Sequence, residues 1–479
     1  MRAHLPILPV LWPLLAALLA PVAALVSRRA AWPLACLGGT LAAASAVWGA
    51  ATVIREGTQR YGLGGWPPPW GIEVVLDPLS AFTAATVATV AAVALIASGP
   101  AVRATVGGGG AAFYALALLT LGGLMGLVVS GDLFNVFVFL EVAAIASYAL
   151  VASGGGPALA AAFRYLLLGS VGASFYLLGV GFLYALTGTL NMADLAGRLP
   201  AVADSPTFAG GVTFVVVGLA IKMGLFPLHG WLPDAYTHAP APVAAFLAPV
   251  ATKAAAYALA RLLWFVLRPE GWPVGSVVAW AGAAAIVAGG LLALRQTDGR
   301  RLLAYSSVSQ MGYIALGIGL ATPQALVGAY LHLLNHALMK AILFLAVGVA
   351  AARGRGVAVG ALDRGLPVSA AAAVVAALSM VGVPPAGGFF SKWYVLRGAV
   401  EADEPLLAAA VLGGSLLAAI YMYRLTEQVW FGKPGAPEVG REAPPVVLGS
   451  LVLLAVGVVA AGLASAPLVT RLLEPAASR

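Results

Sequence analysis

At 479 residues the chain is 61% hydrophobic and only 9% charged, with a mean hydropathy of +0.97. A soluble domain carries about 25% charged residues, so this composition excludes a soluble globular enzyme and indicates an all-α integral membrane protein with no separate soluble domain. The formal charge of +8 does not point to nucleic acid because the arginines are scattered over short loops, and the single Cys36 excludes an internal disulfide framework or a four-thiolate cluster. No cofactor is expected in this chain, and any redox chemistry belongs to partner subunits.

Apolar runs long enough to cross hydrocarbon as helices recur throughout and predict fourteen spans. The first, 5–26, is long and proline-rich for a cleaved signal peptide and is expected to remain as a membrane helix. With 31–54 and 77–98 it makes an N-terminal unit, residues 1–110. Spans 111–130, 132–152, 158–187, 209–237 and 241–267 form a first five-helix unit, 111–267. Spans 275–294, 300–319, 324–351, 368–400 and 405–431 form a second, 268–431, and span 445–470 occupies the remainder, 432–479.

The linkers carry turn signals such as GLGGWPPPWG at 62–71, the glycine run at 107–110 and RQTDGRR at 295–301. Loops after odd-numbered spans hold the arginine excess: Arg28, Arg29, Arg103, Arg295, Arg300, Arg301, Arg353, Arg355 and Arg364. The positive-inside rule puts these loops in the cytoplasm and both termini on the outer side of the cell (inner) membrane.

Two spans are predicted to be broken, the seventh at Pro227 and Pro233 and the twelfth at Pro384, Pro385, Gly387 and Gly388. Breaks five spans apart predict two five-helix repeats, and an odd repeat length requires them to be inverted in the membrane. Lys222 precedes its break and Lys392 follows its own, as inversion requires.

Ionisable residues inside these spans are the strongest functional signal, since one charge at the bilayer centre costs roughly 2.5–3.5 kcal/mol on insertion scales. Glu141, Lys222 and Lys253 each lie near the middle of a span. Desolvation disfavours a charged lysine and a neighbouring carboxylate favours it, so moving or neutralising Glu141 would load or unload Lys222, with Lys253 as the next proton site. A static charge pair that only orients helices is the competing reading.

His332, His336 and Lys340 recur at i, i+4 and i+8 on one helix face, which suits a proton relay, with polar packing as the plainer alternative. Leu-Leu-Asn separates the histidines without the glutamate of a zinc HExxH motif, so no metal site is expected. Lys392, Arg424 and Glu427 extend the polar set toward the last spans. His229, Asp234 and His238 surround the seventh-span break, where they gate access or satisfy freed backbone groups. Asp77 and Asp132 stand at helix starts, where capping explains them.

The strings GDLFNVFVFLEVAAIASYALV, AIKMGLFPLHGWLPDAYTHAPAPVAAFLAPVATKAAAYAL, RRLLAYSSVSQMGYI, HLLNHALMKAILFLAVG and VGVPPAGGFFSK are similar to one family. They resemble the antiporter-like subunits shared by Mrp-type Na+/H+ antiporters, respiratory complex I and membrane-bound hydrogenases, over roughly residues 111–431. The resemblance implies fourteen helices with inverted five-helix repeats. It implies that Glu141, Lys222, Lys253, Lys340 and Lys392 form a charged central axis, with Glu141 and Lys222 as the pair held essential for transport and His332 and His336 linking two half-channels. Lys392 resembles the lysine-bearing members, where another branch has glutamate.

Length and the phrase FNVFVFLEVAAIASYAL look most like the D-type subunit of Mrp antiporters or its hydrogenase counterpart, and the former implies a multisubunit cation (Na+)/proton antiporter with other membrane subunits as partners. The alternative is the proton-pumping membrane subunit of a redox-driven complex, and a stand-alone solute transporter is a third reading. No oxygen-rich cluster for sodium is evident in the sequence.

Overall fold

The computed structural model describes residues 4–27, 29–105, 110–432 and 442–477; Arg28 and the glycines at 107–109 lie outside the described residues. The helices are α1 (Leu8–Val26), α2 (Ala31–Glu56), α3 (Pro78–Thr105), α4 (Gly110–Val129), α5 (Leu133–Ala152), α6 (Pro157–Thr187), α7 (Met192–Arg198), α8 (Pro206–Met223) and α9 (Leu232–His238). They continue as α10 (Ala241–Arg261), α11 (Val274–Leu294), α12 (Gly299–Leu320), α13 (Pro323–Ala352), α14 (Pro367–Val381), α15 (Gly387–Glu401), α16 (Pro405–Phe431) and α17 (Pro445–Leu463). Twelve helices among the described residues are long and apolar enough to cross a membrane.

One short antiparallel hairpin departs from the all-helical expectation, β1 (Gln59–Gly62) pairing with β2 (Glu73–Leu76). Its connection is the proline- and tryptophan-rich stretch read as a loop, and the four-residue strands carry too little pattern to register against the apolar spans beside them. Helix α7 was likewise unforeseen: Asn191 caps it by accepting from the N–H groups of Ala193 and Asp194, both at 3.0 Å.

Bridges Val74–Ser130 and Asp132–Asn191 gather the hairpin, the α4–α5 turn and the α6–α7 turn at one end of the bundle. At the other end Arg424 donates to the carbonyls of Leu294 and Gln296, and Arg301 meets Asp234 at 3.4 Å. We call these the hairpin end and the arginine end.

Helices α10 and α13 form the centre. Their most apolar windows are 94% and 89% buried against 33% for α1, so the charged residues they carry face protein and not the periphery. Helix α13 packs on α3, α10, α12, α14, α15 and α17.

Both anticipated breaks are present. Helix α8 ends at Gly224 (φ 68°) and α14 at Gly382 (φ 99°), left-handed conformations that an L side chain adopts only with strain. The indole N–H of Trp231 donates at 2.8 Å to the Ile221 carbonyl, which also accepts from the Gly224 N–H at 3.1 Å at the first break, and Asn335 donates at 2.7 Å to the Gly387 carbonyl at the second.

Small residues let helices touch backbone to backbone. A Cβ on Gly312 of α12 would stand 2.6 Å from the Gly282 carbonyl oxygen and 2.7 Å from the Ile286 nitrogen of α11, neither of which can rotate away. Gly312→Val is therefore expected to cost at least about 1–3 kcal/mol by overpacking, read as a lowered melting temperature of the purified protein; an unchanged value would show that the two helices are not held this tightly.

Candidate functional site

Glu141 on α5 and Lys222 in the last turn of α8 are joined directly: Lys222 Nζ donates to Glu141 Oε1 at 3.0 Å and to the Tyr148 hydroxyl at 3.3 Å. The sequence placed the two at equal depth, and folding brings them into contact. Tyr148 follows Glu141 by seven residues, two helical turns on the same face, so its participation was readable from spacing. The pair is unevenly buried, with side-chain exposures of 8% for Lys222 and 24% for Glu141.

Lys253 has no exposed surface, and its ammonium donates only to neutral oxygens, the Ala248 carbonyl at 2.7 Å and the Thr252 hydroxyl at 3.3 Å. Lys340, equally buried, donates to the Leu303 carbonyl at 2.7 Å and to Ser306 Oγ at 2.6 Å on α12. Ser306 thus accepts directly from the Lys340 ammonium.

His332 and His336 stack with ring centroids 6.0 Å apart, as one face of α13 requires. Gln310 donates from Nε2 to the Tyr421 hydroxyl at 3.0 Å and presents Oε1 to His332 Nε2 at 3.1 Å, where it can accept a hydrogen bond from that nitrogen. The other nitrogen, Nδ1, lies 2.9 Å from the Ser391 hydroxyl, which donates to a neutral ring and accepts from a charged one. Both nitrogens of His336 are buried without a protein hydrogen bond, one helical turn from His332 on one side and from Lys340 on the other. Such a ring has room in its chemistry for a proton donor or acceptor that arrives transiently.

Lys392, 5% exposed, donates at 2.6 Å to the Met380 carbonyl at the C-terminus of α14, and at 3.3 Å to Ser415 Oγ. A cation is favoured there because the last carbonyls of a helix carry the negative end of its dipole. Its ammonium also stands over the Tyr313 ring, 4.4 Å from the centroid, and that tyrosine lies 5.5 Å from His332.

The residues around the first break separate. Asp234 is held by Arg164 and Arg301 at the arginine end, and His238 is exposed. His229 packs between the rings of Phe226 and Tyr305, at 5.3 and 6.4 Å. Arg424 ties carbonyls at the arginine end and does not continue the central file.

Asp132 caps α5, accepting from the Asn135 N–H at 2.8 Å, as its position suggested. Asp77 does more than cap α3, because Arg261 donates to both of its oxygens at 2.6 Å. A contact across 184 residues leaves no local trace in the sequence.

A bundle of apolar helices enclosing a file of lysines and histidines defines a multi-pass integral membrane protein, with ionisable groups where lipid alone would not hold them. Residues 130–418 match the family model described as NADH:quinone oxidoreductase/Mrp antiporter, TM, and the chain belongs to this family of antiporter-like, proton-transporting subunits. It is 45% identical to NADH-quinone oxidoreductase subunit N of Desulforudis audaxviator, over 99% of this chain and 98% of that one. The D-type Na(+)/H(+) antiporter subunit of Alkalihalophilus pseudofirmus is 33% identical over 67% of this chain and 66% of its own.

Among solved structures, a chain of the membrane-bound sulfane sulfur reductase, an archaeal respiratory membrane complex, superposes with a TM-score of 0.92 at 31% identity, covering 100% of this chain and 97% of that one. A chain of the Mrp complex from Dietzia sp. DQ12-45-1b gives 0.89 at 27% identity, covering 99% and 97%. These likenesses reverse the weighting drawn from sequence phrases: similarity is fuller toward respiratory subunits than toward the D-type antiporter subunit. The phrase that suggested Mrp surrounds Glu141, inside the stretch 130–418 that matches one model covering both NADH:quinone oxidoreductase and Mrp antiporter, and so does not by itself choose between them.

Proposed function

We propose that this chain is a proton-translocating membrane subunit of a multisubunit, redox-driven complex of the NADH-quinone oxidoreductase kind. With α12 and the α14–α15 pair added to the twelve long apolar helices, the bundle makes fourteen spans, those from α4 to α10 and from α11 to α16 being inverted five-helix repeats. The N-terminal helices to residue 110 and the helix after residue 432 flank the repeats. The arginine end faces the cytoplasm, both termini lie outside, and the membrane is the cell membrane.

The observation that carries the reading is the Lys222–Glu141 ion pair at 3.0 Å followed by lysines that have no carboxylate of their own in contact. Protons are taken up near the α8–α9 break, where His229, Asp234 and His238 lie, and reach Lys222. They pass through Lys253 and the His336, His332 and Lys340 group and leave near Lys392. Moving Glu141 away from Lys222 removes the charge that favours the ammonium and pushes its proton onward. At 24% exposure Glu141 would meet acyl chains in an isolated subunit, so a neighbouring membrane subunit covers it.

A second reading, a cation (Na+)/proton antiporter subunit, is favoured by the 0.89 superposition on the Mrp complex chain. The native complex decides between them. Purified under mild detergent, it is expected to contain iron–sulfur or nickel subunits and to acidify or alkalinise proteoliposomes when an electron donor and acceptor are supplied. Partners that are all small membrane proteins, with sodium-dependent proton exchange and no electron-driven pumping, would establish the antiporter instead.

A further inference from the structure

At the hairpin end lies a polar cavity of about 270 Å3 that none of these steps uses. Arg60 and Arg268 are exposed at its rim, while Asp77, Tyr257 and Arg261 make its deeper wall. Arg261 grips both oxygens of Asp77 at 2.6 Å and donates from Nε to the Tyr257 hydroxyl at 3.2 Å. The Ser80 N–H adds 3.0 Å and its hydroxyl 3.1 Å to the same Asp77 Oδ1.

Lys253, Tyr257 and Arg261 recur at i, i+4 and i+8 on α10, so their backbone positions share one helix face over about 12 Å, with the Lys253 ammonium itself turned back toward Ala248 and Thr252. The buried hydroxyl of Tyr330 on α13 makes no protein hydrogen bond and has Arg261, Asp77 and Tyr257 as electrostatic neighbours. The fold therefore places a polar branch between the relay and water at the end opposite the arginine-rich loops.

A group that conducts protons must accept on one side and release on the other. Tyrosine hydroxyls can do both. A guanidinium has five donors, no acceptor and a permanent charge, and an arginine in a pore excludes protons and cations. The Asp77 oxygens are already engaged by two guanidinium N–H groups and Ser80.

We propose that the Asp77–Arg261 pair is a seal that keeps protons on Lys253 from passing along α10 to the hairpin-end cavity, so that the path continues to Lys392. The seal rests on Lys253 being a relay group, and it makes translocation vectorial by closing the way out at the hairpin end.

The test uses the whole purified complex in proteoliposomes, with an imposed pH gradient and no turnover. Arg261→Gln is expected to speed decay of the gradient several-fold, and Arg261→His, which restores a group able to accept and donate, to do the same. Adding Lys253→Met to Arg261→Gln should return the decay to the wild-type rate. Assembled Arg261→Gln or Arg261→His complexes as tight as wild type would overturn the seal, as would a leak that survives removal of Lys253. Because the leak is read without turnover, it is separable from loss of driven pumping in a Lys222 variant, which tests the functional reading itself.

Discussion

Lys222→Ala in the assembled complex is expected to reduce driven proton translocation by roughly 10²-fold or more, the scale on which a positioned proton-transfer group contributes. Two losses coincide. The substitution deletes the first ammonium of the file, and it strips Glu141 of the cation 3.0 Å away. Breaking a fully buried pair costs about 3–5 kcal/mol, and the partial exposure of Glu141 puts the cost here below that range. Stability should therefore fall modestly while transport collapses. Glu141→Gln separates the two effects, since it keeps the shape and the lysine but removes the charge that loads it; transport should again be lost at normal membrane abundance. Dye-reported pumping that persists at wild-type rate in either variant would reduce the pair to a helix-orienting contact.

Lys253→Met should behave differently, and the contrast tests the physics of the central file. Lys253 has no carboxylate in contact and no exposed surface, so the protein bears the cost of an ammonium solvated only by a carbonyl and a hydroxyl. Methionine fills nearly the same volume without charge, and removing a buried charge relieves about 2.5–3.5 kcal/mol on insertion scales. The expected result is a melting temperature equal to or above wild type together with loss of driven translocation. A gain in stability with a loss of function is the signature of a residue retained for what it carries. A marked drop in melting temperature would mean that Lys253 has a stabilising partner the present contacts do not supply.

Depth was legible in the linear chain because the bilayer imposes it. A residue near the middle of an apolar run long enough to cross the bilayer lies near mid-membrane whatever its neighbours do, which placed Glu141, Lys222 and Lys253 at a similar level. The two breaks were legible for a related reason, since proline lacks the N–H that a helix interior requires, although the left-handed glycines that end the helices, Gly224 and Gly382, were not singled out. The period of α13 likewise put His332, His336 and Lys340 on one face before any packing was known.

Azimuth was not legible, since apolar spans buried on most sides carry no amphipathic stripe to say which way each helix faces. It took the tertiary structure to show that Glu141 meets Lys222 and not Lys253, that Ser391 and Gln310 hold His332 from opposite nitrogens, and that Arg261 of α10 closes on Asp77 at the start of the adjoining α3. The strands of the small hairpin escaped notice for want of length, and α7 because a seven-residue helix offers too few turns to establish a period. The linear chain put ionisable groups in the middle of the membrane; the rotation of each helix, constrained by glycine contacts such as Gly282 on Gly312, joined Glu141 to Lys222 and Asp77 to Arg261.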